Sequence, residues 1–311
     1  QQTKWLGLLV WYFFQGVVLF VQAKTCFVIS GVLAQENIVG DPHAQGSSYI
    51  AASYVKYLES AGARVVPIRI NRTDEEYENI FNSINGVVVQ LPLYYFYLLS
   101  STPVVSCSCF VIVFQTNDAS DYFPIWGTCQ GLQQMTVLSS NKSLLTLTET
   151  KAVALPLTFT PGQRQHWVSA FSKAFPRDLL LSLSEDNITT NFHSWSLSRN
   201  AKLKHFYKVL TTNTDGRREF ISTMEANHYP FYAVQWHPEK SPFEWVDKPG
   251  MVHSAASVRA SFYTAHFFVS EAMKNHHKFS SASEEERALI YNYSPVFTGL
   301  DGIFLQKYYF D

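Results

Sequence analysis

Between Phe27 and Val89 the apolar pattern alternates between strand-like and helix-like periods, and that alternation restricts the chain to few folds. Phe27 to Ala34 is an apolar, β-branched run that reads as a buried strand. Over Ser48–Ala61 the residues Tyr49, Ala52, Ser53, Val55, Tyr57 and Leu58 recur at helical spacing, and Gly62 stands where a C-cap belongs. Arg64–Ile68 reads as a short strand. Asp74–Glu78 opens a helix whose Asp74, Glu75 and Glu76 complement its N-terminal dipole, and Gly86–Val89 is a further strand. Strand, helix, strand, helix, strand at this spacing predicts an α/β fold, a mostly parallel central sheet flanked by helices. At 311 residues and 47% hydrophobic, with no repeat or linker, one domain over 24–311 is expected.

Charge and cysteine content remove several classes of function. The chain has 24 Lys+Arg against 25 Asp+Glu and no basic run, so no nucleic-acid partner is expected. The four cysteines, Cys26, Cys107, Cys109 and Cys129, have neither a disulfide-scaffold pattern nor paired metal-ligand spacing. At the N-terminus an apolar run from Trp5 to Val21 leads into Val21-Gln22-Ala23, a small-x-small cleavage pattern. Residues 1–23 are therefore expected to be an export signal rather than a membrane anchor. The first residue is Gln1 and not Met, so the start is expected to be incomplete. Four Asn-x-Ser/Thr triplets, at Asn71, Asn141, Asn187 and Asn292, fit an exported glycoprotein.

Residues 87–117 break the pattern, since they contain no Lys, Arg, Asp, Glu or His. Leu91–Phe114 shows neither helical nor alternating period, and Pro92 and Pro103 interrupt any membrane helix. A pair of core strands is the favoured reading there. Order then returns, with a strand Tyr122–Trp126 and an apolar-periodic helix Leu132–Leu138. Strands at Leu144–Leu147 and Ala152–Pro156 follow, then a helical stretch Trp167–Phe175. Asn213-Thr214-Asp215-Gly216 joins Phe206–Thr212 to Glu219–Met224 as a hairpin. Tyr232–Trp236 is a strand, and a helix from Ser254 to Asn275 carries Ala255, Val258, Phe262, Ala265, Phe268 and Val269 on one face.

The most specific chemical signal is the passage strand, Gly127-Thr128-Cys129-Gln130-Gly131, helix. A nucleophile on such a turn sits in a strained backbone at the carboxyl edge of the sheet, and the helix start complements a negative sulfur. Alone, this pattern fits a small buried cysteine in a tight turn equally well. His237 at the end of the last strand, with Glu239 two residues on, supplies a base and a carboxylate to orient it: residues i and i+2 of an extended segment face the same way, so the carboxylate is expected to bond one ring nitrogen while the other addresses the sulfur.

Trp126-Gly127-Thr128-Cys129, Asn191-Phe192-His193-Ser194-Trp195, Val209 to Gly216 and Val234-Gln235-Trp236-His237-Pro238-Glu239-Lys240 together resemble the γ-glutamyl hydrolases, within the class I glutamine amidotransferase-like fold, a flavodoxin-like three-layer arrangement. The resemblance spans 29–86 and 121–311. It implies a cysteine peptidase that cuts γ-linked glutamates from folate polyglutamates, exported to lysosome or cell exterior, a homodimer using neither metal nor cofactor and not inserted in a membrane. It further implies Cys129 as nucleophile, His237 as base, Glu239 as its partner, and His193, Gln130 and Gly127 at the substrate. For His193 the alternative is a loop histidine packed on Trp195, and Lys240 is a proximity candidate for a substrate carboxylate. Two departures stand out. Gln90-Leu91-Pro92-Leu93-Tyr94 replaces the Pro-Gly-Gly turn that supplies an oxyanion-hole N–H in relatives, and Gln133 and Gln134 stand where relatives tend to be acidic. Residues 87–117 therefore read either as foreign sequence, such as retained intron between intact flanks, or as a divergence giving an impaired homologue that binds folate or a protein. A glutamine amidotransferase domain is the weaker third reading.

Overall fold

The computed structural model describes residues 27–37, 40–90, 102–161, 169–173, 175–199, 203–300 and 303–311. The expected export signal, Cys26 and the substituted turn 91–94 lie outside them. The central sheet has eight strands. Five are parallel: β1 (Ile29–Leu33), β4 (Arg64–Ile68), β5 (Gly86–Val89), β6 (Ile125–Thr128) and β12 (Phe231–Val234). They are extended antiparallel by β11 (Glu219–Ala226), β10 (Tyr207–Thr214) and β8 (Thr158–Phe159), in the order β4-β1-β5-β6-β12-β11-β10-β8. Pro67, which cannot donate to a ladder, sits in the edge strand β4, where that costs least.

Alternate residues of the parallel strands feed two cores, which makes the molecule three-layered. Val88, Trp126 and Val234 face one core with α1 (Ala52–Glu59), α6 (Arg177–Glu185) and α8 (Ala255–Ala272). Val87, Val89, Ile125 and Ala233 face the other with α2 (Asp74–Phe81), α3 (Thr102–Asp118) and α4 (Gln130–Ser140). A capping box between Thr73 and Glu76 starts α2, as its acidic first turn suggests, and Ser254 caps α8. A short helix α5 (Ala170–Lys173) stands within the helical stretch expected from 167 to 175.

Several expectations are corrected. The stretch 91–114 was expected to hold a core strand pair; its described part is the helix α3. Cys109, Phe110 and Val113 are buried, and the Phe114 ring meets Phe206, Tyr229 and Phe231 at 5.8, 5.1 and 5.2 Å between centroids. Asn117 closes the helix by donating to Val113 O and Phe123 O, each at 2.9 Å. Aromatic packing decides the helix here, against a charge-free composition without amphipathic signal.

Ser48–Ala51, expected as the first turn of a helix, is instead a strand, β3, and α1 starts only at Ala52. Its partner is β14 (Gln306–Phe310), in a second sheet ordered β13-β14-β3-β2, with β13 at Val296–Phe297 and β2 at Gln35–Glu36. The two strands expected between 144 and 156 are one bulged strand, β7 (Leu145–Leu155), paired with β9 (Thr189–Leu197). On α8, Phe262 is 40% exposed and Ala255 also faces out, while Ser257, Ser261 and Thr264 are buried beside Phe267 and Phe268. Among the described residues no helix is long and apolar enough to cross a membrane.

Gly131 marks where packing and site meet. A Cβ there would lie 2.0 Å from Val89 O and 2.8 Å from Val89 C, both backbone atoms that cannot swing away. Gly131→Ala is expected to push the start of α4 off β5 and to cost roughly 3 kcal/mol, read as a lower midpoint in urea with the slope unchanged. A midpoint equal to the parent's would show that α4 can yield.

Candidate active site

The parallel pairing of β6 with β12 sets Thr128 beside Val234, so both strands end at the same edge of the sheet. Beyond Thr128 the chain turns sharply. Cys129 has φ 53° and ψ −101°, outside the regions that L-residues favour, and its N–H donates to Val234 O at 2.7 Å. The turn is possible because Gly127 and Gly131 face one another: a Cβ on Gly127 would meet Met135 Sδ at 2.5 Å and Gly131 C at 2.9 Å. Gly127 thus serves the site by letting α4 lie close, its Cα facing that helix. Gln130 is the first residue of α4 and directly follows Cys129, so its N–H has no acceptor within the helix.

Beyond Val234 the chain is pinned on both sides. Gln235 N–H donates to Ser222 O and His237 N–H to Thr190 O, both at 2.8 Å. His237 Nδ1 meets Glu239 Oε1 at 2.7 Å, and the ring lies close enough to Cys129 for the two groups to interact. The expected histidine–carboxylate bond forms, but not through alternation along a strand. Glu239 has φ −66° and ψ −20° and is the N-cap of α7 (Lys240–Phe243), and Lys240 N–H reaches back to His237 O at 3.3 Å. A tight turn brings the carboxylate round to the ring.

Burial alone would hold His237 neutral, but the negative charge of Glu239, then of Cys129, outweighs it and raises the imidazole to about 9. Glu239 is fully buried, which favours its neutral form, yet the neighbouring His237 cation holds its carboxyl below the usual carboxylate range. Both directions describe the same thing: a buried imidazolium–carboxylate pair. From α1, Tyr54 places its hydroxyl 3.5 Å from His237 Nδ1, near enough to Glu239 to feel its charge. Its phenol stays protonated, burial and the Glu239 charge both raising its pKa.

His193, on β9, lies close enough to His237 for the two charges to interact, but its ring is held by protein on both sides. Asn191 Oδ1 faces Nε2 at 3.1 Å, while the hydroxyls of Thr150 and Ser196 face Nδ1 at 2.8 and 3.0 Å. Asn191 Nδ2 is committed to Thr189 O at 2.8 Å, which fixes Oδ1 as the acceptor and His193 Nε2 as the donor. Burial, with His237 adding to it, lowers His193 to about 3. Ring contact is with Phe220, at 5.4 Å between centroids. Lys240 is buried, its ammonium 4.1 Å from the Phe304 ring centroid and 5.6 Å from that of Phe192. Burial lowers its pKa against the attraction of Glu239 and Glu244. It stands as a buried counter-charge to two carboxylates.

Sequence reasoning passed over Tyr54 and Gln235. Tyr54 carries no signal apart from its place among apolar residues at helical spacing; Gln235 had one, its position two residues before His237. Among the described residues no cluster of three or more His, Cys, Asp or Glu side chains has the makings of a metal site. Cys109 and Cys129 are free thiols. Burial pushes Cys109 up to about 12, which leaves it an inert core residue.

The Peptidase C26 family model matches residues 108–239, beginning inside the charge-free stretch and ending on Glu239. The chain is 52% identical to human γ-glutamyl hydrolase over 293 residues, 91% of this chain and 89% of that protein. It is 50% identical to the rat enzyme of the same name over 289 residues, with the same coverage. Identity to γ-glutamyl hydrolase B of Dictyostelium discoideum is 38% over 282 residues, 87% of this chain and 79% of that one. With this identity along nearly its whole length, and a strained cysteine set against a histidine–glutamate pair, the chain belongs to the γ-glutamyl hydrolase family.

Proposed function

We propose that this chain hydrolyses γ-glutamyl amide bonds by nucleophilic catalysis, with Cys129 as nucleophile, His237 as acid–base and Glu239 as the group that holds His237. One observation carries the reading: His237 stands beside Cys129 and is held, at 2.7 Å, by Glu239. The Cys129 thiol gives its proton to His237 and the sulfur attacks the carbonyl carbon of the γ-amide, so that a C–S bond forms and the carbonyl π pair moves onto oxygen. Gln130 N–H, at the helix start, supports that oxygen. The tetrahedral species collapses, the C–N bond breaks, and His237 gives its proton to the departing amine. Water then attacks the thioester carbon with His237 taking its proton; the C–S bond breaks, the γ-carboxylic acid leaves, and His237 returns the proton to the sulfur.

The substrate class that fits is folate polyglutamate, by kinship with γ-glutamyl hydrolases. Export to the lysosome or cell exterior, and pairing as a homodimer, belong to the same reading. Asn71, Asn141 and Asn187 are exposed and open to glycans, whereas Asn292 commits its amide nitrogen to Glu286 O, Arg287 O and Leu289 O at 2.8, 3.1 and 2.9 Å. Purified chain incubated with folate pentaglutamate is expected to release γ-linked glutamate or shorter conjugates, and to leave an α-linked pentaglutamate intact. No cleavage of the γ-linked substrate, or equal cleavage of both, would overturn the assignment.

A further inference from the structure

The nucleophile has a second polar neighbour besides His237. Gln235 Nε2 lies 3.5 Å from Cys129 Sγ, and Gln235 itself has no exposed surface. An amide at that place can present either its N–H or its oxygen to sulfur, and the two choices have opposite effects. A donor stabilises an anionic sulfur, whereas an oxygen repels it.

A chain of bonds that begins at an acceptor-only group settles the choice. Trp195 O, a backbone carbonyl, can only accept, so the Gln133 end facing it at 2.6 Å is the nitrogen. The same Gln133 Nε2 reaches Gln235 at 3.3 Å and must there meet Oε1. With Oε1 committed to Gln133, the remaining end of Gln235, its N–H, is the one turned to the sulfur. Gln133 is 2% exposed, so water does not compete for these bonds.

We propose that the Gln235 side-chain amide is a further catalytic group, donating a hydrogen bond to the Cys129 sulfur in its anionic, attacking form, and that Gln133 is a positioning residue that fixes Gln235 in the donor orientation. Gln133 stands on α4 and Gln235 directly follows β12, while His237 lies in the turn before α7, so the sulfur has a second polar neighbour besides the imidazole. The bond weakens once sulfur becomes a neutral thioester, so its loss should appear in the steps that make and regenerate the anion. The proposal rests on Cys129 being the nucleophile, as set out above, but it does not depend on which amide is cleaved.

The test uses Gln235→Met and Gln133→Met, which keep side-chain length and remove the amide. Two readouts are taken: kcat and KM on folate pentaglutamate, and the rate of Cys129 alkylation by iodoacetamide at one fixed pH, followed by mass spectrometry of the peptide containing Cys129. Losing a hydrogen bond to a charged group should lower kcat for Gln235→Met about ten-fold with KM held within about two-fold, and slow alkylation by a similar factor. Gln133→Met should act in the same direction and less, about three-fold on both. A Gln235→Met enzyme with the parent's kcat and alkylation rate overturns the proposal. Should Gln235→Met fail to fold, Gln133→Met decides: unchanged kcat and alkylation overturn the proposal, slowing of both supports it. If the parent chain cleaves no γ-glutamyl bond, alkylation slowed in the variants still upholds Gln235 while removing the substrate assignment.

Discussion

Cys129→Ala is expected to reduce turnover of folate pentaglutamate by about 10⁵-fold or more, since in nucleophile-dependent hydrolases loss of the attacking atom removes nearly all chemistry beyond binding and oxyanion support. The expectation follows from where the sulfur stands. It is held at the end of β6 by a bond from its own N–H to Val234 O and set against His237, and Cys109 is sealed in the core with a raised pKa. Alanine and cysteine share the cost of the positive φ at this position, so the variant should keep the parent's melting temperature to within a few degrees. Intact stability with lost turnover would isolate the chemistry. Turnover within ten-fold of the parent, measured on protein freed of contaminating peptidase, would show that another group attacks.

Much of this site was legible before any coordinate, because its signals are local. The Gly127-Thr128-Cys129-Gln130-Gly131 elbow requires a strand before it and a helix after it, and both are there, Ile125–Thr128 and Gln130–Ser140. The parallel strands were legible for the same reason: Val87, Val88 and Val89 are buried on alternate faces, so the run has no polar face to disguise it. Where the reading failed, a distant partner decided the structure. Ser48–Ala51 carries residues at helical spacing, yet it pairs with a strand at Gln306–Phe310, some 250 residues away, which no local period reveals. On α8 the apolar count favoured Phe262 and Ala255, but a helix seated tightly on a sheet buries small hydroxyl residues such as Ser257, Ser261 and Thr264. Thr264 donates to Ser261 O at 2.7 Å and Ser257 to Ser254 O at 2.8 Å, bonds to nearby carbonyls that let a hydroxyl be buried, so polarity there does not mark the solvent face. Helix α3 illustrates a third limit: a segment whose residues are nearly all apolar or small has no contrast from which to read a period.

A second large effect is expected at Glu239. Its Oε1 accepts from His237 Nδ1, and that bond fixes the tautomer in which Nε2 is left to take the proton of the Cys129 thiol. Glu239→Gln keeps the shape but lets an amide N–H face Nδ1, which moves the ring proton to Nε2 and leaves nothing to receive the thiol proton. Turnover should fall about 10³- to 10⁴-fold, the scale seen when the carboxylate of a comparable triad is made an amide. Stability carries an independent signature. His237 is raised from its ordinary 6.5 to about 9, so the stabilisation it contributes is complete below 6.5 and is lost as pH rises through 9. Glu239 is held below its ordinary 4.5, so its share is complete above 4.5 and is lost as pH falls beneath that value. The two windows overlap between pH 4.5 and 6.5, where the difference in melting temperature between parent and Glu239→Gln should be greatest. It should shrink steadily toward pH 9. A difference that stays constant from pH 5 to 9, or grows, would mean that no buried imidazolium–carboxylate pair exists in the folded chain, and His237 would then have to be a neutral base whose orientation comes from elsewhere.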